Sequence, residues 1–201
     1  MNTSLVFAEL VIIGLEGGIW LAFLFAAGFG AETLASIFSS FEKWQLLIAA
    51  ILLALIYVVG VIIDRIADSL FRRKEHILDE EIVGDMPVTI PVMRFSLGTQ
   101  NDFLNQQLEY TRTRMRIVRA STVNFLLIAA SLSLFLFTRL TEVSVTTRWG
   151  YVFVAMLVGA AFSYASYRTW KSLIRAHLKL AKEMYEHQTK QEKKKSGTRK
   201  R

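Results

Sequence analysis

Cysteine is absent from all 201 residues, which excludes disulfides, thiolate metal sites and cysteine nucleophiles. Histidine is scarce: His76, His177 and His187 lie in charged stretches without metal-ligand spacing, so a solvated surface position is expected for each. Proline occurs only at Pro87 and Pro91, leaving the rest of the chain free of that helix breaker. The N-terminus lacks the basic flank and cleavage site of a secretory signal, so its apolar run is expected to stay in the mature protein. Asn2 offers no myristoylation glycine, and no cysteine is available for prenylation. Nucleophile-elbow, kinase, dinucleotide and metal-ligand patterns are missing as well. The segment Gly14-Leu-Glu-Gly-Gly lies inside an apolar run and follows no strand, so it is not a phosphate loop. Neither an enzyme nor a cofactor is therefore expected.

What the chain has is oil, segregated from charge. Apolar residues make up 53% of it, with a mean hydropathy of +0.36, while charged residues at 20% avoid long stretches. A span needs roughly 20 predominantly apolar residues, and four stretches meet that need: 5–29, 44–63, 120–138 and 149–167. Trp44, Trp149, Tyr151, Tyr167 and Trp170 sit at their edges, where aromatic side chains favour the headgroup level. The expected class is an all-α membrane protein with four transmembrane helices.

Orientation follows from Lys and Arg. Segment 64–119 holds nine and the stretch from Arg168 onward twelve, whereas the two remaining connections hold only Lys43, Arg139 and Arg148. With 21 of 24 basic residues on one side, that side is expected to be cytoplasmic, and both termini face it.

Three spans are expected to continue as cytoplasmic helices. Beyond Asp64 the sequence runs without Gly or Pro, with Asp68 four residues before Arg72, which predicts a helix to about Val83. Gly84, Pro87, Pro91 and Gly98 then punctuate a connection whose Val88, Ile90, Val92, Met93 and Phe95 predict packing on helices or membrane. A capping-type start at Thr99 and Asp102 predicts a helix running into the third span. Leu104, Leu108, Thr111, Met115 and Val118 form a seam of alternating four- and three-residue steps, repeated after the fourth span by Trp170, Ile174, His177, Ala181 and Met184. Burying these seams calls for a cytoplasmic helical bundle, within one chain or between subunits. The domain plan is thus hairpin 1–63, charged segment 64–119, hairpin 120–168, helix 169–187 and a disordered basic tail 188–201.

Three features point toward function. Glu9 and Glu16 share one face of the first span, and an ionised carboxylate near the bilayer midpoint costs at least roughly 2.5 kcal/mol. No Lys or Arg lies within a span to neutralise them. Asn124, Ser131, Tyr57, Ser163 and Tyr164 are the candidate hydrogen-bond partners. Alternatively, the face lines a lumen in a homo-oligomer as an ion pathway. In the bland reading Glu16 is a packing residue and Glu9 reaches back to the interface. The second feature is a ladder of Gly14, Gly18, Ala22, Ala26 and Gly30, a row suited to close helix packing. The third is a basic surface of Arg72, Arg73, Lys74, Arg112, Arg114, Arg116 and Arg119, suited to anionic membrane lipids or to a phosphate-bearing nucleotide or nucleic-acid ligand.

With Glu9 and Glu16 in a span and this Arg-rich cytoplasmic portion, the plan resembles small multi-span membrane effectors of bacterial antiphage defence systems. The resemblance implies an oligomeric, signal-gated channel or pore, with Glu9 and Glu16 on the ion path and the Arg stripe with Arg72, Arg73 and Lys74 sensing the signal. The chain departs from that plan in having no recognisable ligand domain, so sensing is open to a second protein. Two further readings stand beside it. One is a non-conducting anchor whose helices dock a cytoplasmic protein partner through Leu108 and Met115. The other is a small proton-coupled transporter, which the unbroken spans disfavour.

Overall fold

The computed structural model describes residues 3–40, 44–84 and 102–198. Regular structure among them is helical: α1 (Thr3–Phe29), α2 (Ala31–Ser40), α3 (Gln45–Val83), α4 (Asp102–Arg139) and α5 (Val145–Thr198). Four of these, α1, α3, α4 and α5, are long and apolar enough to cross a membrane. The α3 helix passes Asp64 without a break and ends at Val83, before Gly84, as the lack of Gly and Pro predicts. The Pro-containing connection and the start at Thr99 lie outside the described residues.

Two elements differ from expectation. The segment after Gly30 forms α2 rather than a plain connection. Gly30 takes a φ of 95° and donates its N–H to the Ala26 carbonyl at 3.0 Å, a left-handed cap that ends α1 and lets a second helix begin. At the other extreme, α5 stays helical to Thr198, through most of the tail expected to be disordered. Gln, Glu and Lys are good helix formers, and an existing helix extends without a new nucleation step.

The chain divides into two compact units. One comprises Asn2–Ser69 with Arg116–Thr169; the other comprises Leu70–Met115 with Trp170–Arg201. In the first unit α1 and α4 run parallel, since Glu9, Glu16 and Ala26 meet successively later residues of α4. The α1 and α3 backbones touch where Gly14 faces the Ile56 carbonyl and Gly60 faces that of Leu10. Ile13, Ile63, Ala67 and Ala120 form a small apolar core there. On the other side of α4, Gly159 of α5 abuts Ala129, and Phe125 lies 5.4 Å from Phe162.

Arginines tie down the far end of this unit. Arg139 donates to the carbonyls of Ala26 and Ala27 at 3.1 Å and of Gly28 at 2.7 Å, closing the last turn of α1. Arg148 holds the α4–α5 turn through the carbonyls of Val143 at 2.9 Å and Thr141 at 3.2 Å. Two of the three basic residues outside the main charge clusters therefore have structural work.

The second unit is built on the expected seams. Leu108 and Met115 of α4 and Trp170, Ile174, His177 and Ala181 of α5 are buried, joined by Phe71 and Leu78 of α3. Phe71 meets Trp170 edge-on at 4.8 Å. Lys182 reaches the Ile82 carbonyl at 2.9 Å, a cation at a helix C-terminus. The surface position expected for His177 is overturned, because its place in the four-three spacing turns it into the seam despite charged sequence neighbours. His76 and His187 are exposed as expected.

Candidate functional site: a buried charge network in the apolar unit

Asp64 and Asp68 lie one helical turn apart on α3, and Arg116 and Arg119 lie one turn apart on α4, so each pair shares a helix face. The two faces meet. Arg116 Nη2 lies 2.7 Å from Asp64 Oδ2, and its Nε lies 3.4 Å from Asp64 Oδ1. Arg119 Nη2 reaches Asp64 Oδ1 at 3.3 Å, and its Nη1 reaches Asp68 Oδ1 at 2.7 Å. Asp64 is the hub, gripped by both guanidiniums.

Helix α1 adds the third side. Arg116 Nε is 2.9 Å from Glu9 Oε1, and Glu9 is 1% exposed. The carboxylate is turned into the helix packing, against Arg116. The expectation that no cation accompanies it also fails, because Arg116 and Arg119 fold into the apolar unit instead of belonging to the charged extension. Three carboxylates thus surround two guanidiniums, and water is kept from most of them. Removing such charges from water is costly, and only mutual pairing offsets it.

Seven residues along α1, Glu16 sits on the same face as Glu9, as their spacing predicts, but in a different setting. It is half-buried, and its oxygens accept hydrogen bonds from Ser121 Oγ at 2.8 Å and Asn124 Nδ2 at 3.0 Å. Asn124 was an expected partner, and Ser121 was not. The other candidates are occupied elsewhere: Ser131 donates to the Ile128 carbonyl, Ser163 to that of Thr122, Tyr57 stacks on Phe7, and Tyr164 is exposed.

The basic surface expected from charge alone divides in two. Arg116 and Arg119 are in the network, while Arg72, Arg73, Lys74, Arg112 and Arg114 are exposed on the second unit. Arg112 lies 4.0 Å from Glu109, and Arg114 stands 5.7 Å over the Tyr110 ring. The small-residue ladder divides as well. Gly14 is in close backbone contact, Ala26 is buried and Gly30 forms the helix cap, whereas Gly18 faces open space and Ala22 is exposed.

Sequence reasoning missed Asp64 and Asp68 as site residues. The signal was present: an acid pair closing one span and an Arg pair opening another at the same depth. No protein-family model, curated protein or solved structure matches the chain.

Proposed function

We propose that the chain is an integral membrane protein with four spans and both termini in the cytoplasm, acting as an oligomeric, signal-gated channel or pore-type effector. The observation that carries this reading is the Glu9–Arg116–Asp64–Arg119–Asp68 network, which locks α1, α3 and α4 together where apolar helix gives way to charged helix. A movement of the charged extensions passes along the same helices into that lock. In the arrangement described, Glu9 and Glu16 are engaged within one chain, which fits a closed state; opening requires the pairs to exchange partners. Exposed Arg72, Arg73, Arg112 and Arg114 are the groups suited to a phosphate-bearing signal. A bacterial inner membrane and a role in antiphage defence belong to the same proposal.

One observation favours the second reading, a non-conducting anchor. A carboxylate held by Arg116 and another held by Ser121 and Asn124 are engaged within one chain, which suits packing better than the lining of a lumen. Leu108 and Met115 are buried inside the chain, so a docked protein would meet exposed Leu70, Ile77 and Tyr110 instead. Ion efflux from liposomes containing the purified protein separates the two. Efflux that disappears in folded Glu16→Gln protein supports conduction. A silent wild-type protein that loses a partner on Ile77→Asp substitution supports the anchor.

A further inference from the structure

The chain's net charge is gathered in one place. Residues 190–201 hold seven basic residues against one acidic, whereas the residues before them hold 17 basic against 16 acidic, so nearly all of the formal +7 lies in this run. Helix α5 carries the run as far as Thr198, and residues 199–201 lie outside the described residues. Lys190 is exposed, and steps of three and four place Lys190, Lys193 and Lys194 on one face of the helix.

The ordinary reasons for basic residues near a span do not cover this run. Lys and Arg set orientation within about 15–20 residues of a span's end, and Lys190 lies 23 residues beyond Tyr167, where the fourth apolar stretch closes. The helix dipole rewards cations in the last turn, and the last turn of α5 holds only Lys195. Like charges three and four residues apart oppose a helix, so these lysines do not serve α5 itself.

Anionic partners differ in what they require. A lipid surface acts over about one Debye length, roughly 8 Å at physiological salt. At about 1.5 Å per residue, Lys190 stands about 35 Å along α5 from Tyr167. A helix lying on lipid also needs an apolar face, and a protein interface needs aromatic or apolar anchors. From Gln188 onward the chain has no aliphatic or aromatic residue. A nucleic-acid backbone requires only charge, presenting a phosphate about every 1.7 Å of duplex axis, and lysines neutralise phosphates without reading bases. A mononucleotide has too few phosphates to engage seven cations spread over this run.

We propose that the basic run of α5 from Lys190 to Lys195, continued in sequence by Arg199, Lys200 and Arg201, binds the phosphate backbone of a nucleic acid without regard to base sequence. The run is separate in sequence from Arg72, Arg73, Arg112 and Arg114, and its binding stands whether or not ions cross the membrane. The distance from lipid rests on the fourth span proposed above, so the experiment reads lipid separately.

Two labelled DNA duplexes of unrelated sequence, titrated with the purified full chain in phosphatidylcholine nanodiscs and followed by fluorescence anisotropy, test it. Both duplexes bind equally. On logarithmic axes, affinity falls with salt concentration with a slope of about 4 to 6, the range for four to seven neutralised phosphates. Replacing Lys190, Lys193, Lys194 and Lys195 together by Gln, itself a good helix former, lowers that slope by about 3 to 4 and weakens binding by about tenfold or more at low salt. Circular dichroism and a monodisperse elution profile establish that the variant is folded. Wild-type protein that binds neither duplex at low salt overturns the proposal, as does an unchanged slope in the folded lysine variant, which would assign binding to the other arginines. Protection of the same lysines from acetylation by phosphatidylglycerol nanodiscs, without duplex binding, would assign the run to lipid and overturn it as well.

Discussion

The two units are built with opposite polarity from the same helices. In Leu70–Met115 with Trp170–Arg201, the buried side chains are mostly apolar, among them Trp170, Ile174, Leu178 and Leu108, and Arg72, Arg73, Arg112 and Arg114 are exposed. In Asn2–Ser69 with Arg116–Thr169, the buried side chains include Glu9, Asp64, Arg119 and Asn124, while Leu46, Leu55, Phe153 and Leu157 are exposed. Water selects the first arrangement through the hydrophobic effect. A lipid exterior rewards the second, since apolar surface is at home there and polar groups need partners inside. Helices α3, α4 and α5 each change from one rule to the other along their length. The network of Asp64, Arg116 and Arg119 sits at the inner margin of that change in sequence.

The largest test of this contrast is removal of the hub. Asp64→Ala leaves both guanidiniums without their shared carboxylate, and breaking a buried pair from one side costs about 3–5 kcal/mol. Thermal unfolding of the detergent-solubilised protein, followed by size-exclusion chromatography, is expected to show a large loss of folded material. Asp68→Ala, which removes a more exposed carboxylate with one partner, should cost much less. Equal, small effects would mean that water reaches the network and that the polar interior is not sealed.

The next test asks what surrounds each unit. Leu157 on α5 and Ile77 on α3 are almost equally exposed, at 56% and 55%. Leu157→Lys, mid-way along the fourth span, is expected to raise the apparent free energy of insertion by about 3 kcal/mol, read in a translocation reporter assay. Ile77→Lys should change stability by no more than about 0.5 kcal/mol, as a surface substitution in water does. If both substitutions are neutral, lipid does not face Leu157 and the membrane reading fails.

Much of the fold was legible because it is local. Four apolar runs, the unbroken passage through Asp64 and the stop before Gly84 all depend on near neighbours, and so do the seam residues Trp170, Ile174 and Ala181. The site was less legible. Arg116 is 52 positions from Asp64 and 107 from Glu9, and nothing in a local pattern sets the depth at which separate helices meet. Counting both arginines as topology signals concealed their pairing. Composition misled twice more: charged neighbours made His177 look exposed, and a run of Lys and Glu made the end of α5 look disordered although those residues favour a helix.

The smallest test concerns the ladder on α1, which sequence alone presents as a uniform row. A Cβ at Gly14 would fall on the Ile56 carbonyl, and backbone has little freedom to retreat. Gly14→Ala is therefore expected to destabilise by about 1–3 kcal/mol, the usual range for overpacking. Gly18 meets nothing, and replacing a helical Gly with Ala removes an entropic cost of roughly 0.5–1 kcal/mol. Gly18→Ala should then be neutral or stabilising in the same thermal unfolding measurement. Opposite signs would mean that α1 meets α3 through the Gly14 register within a single chain. Destabilisation by both would instead place a second surface on Gly18, which meets nothing among the described residues.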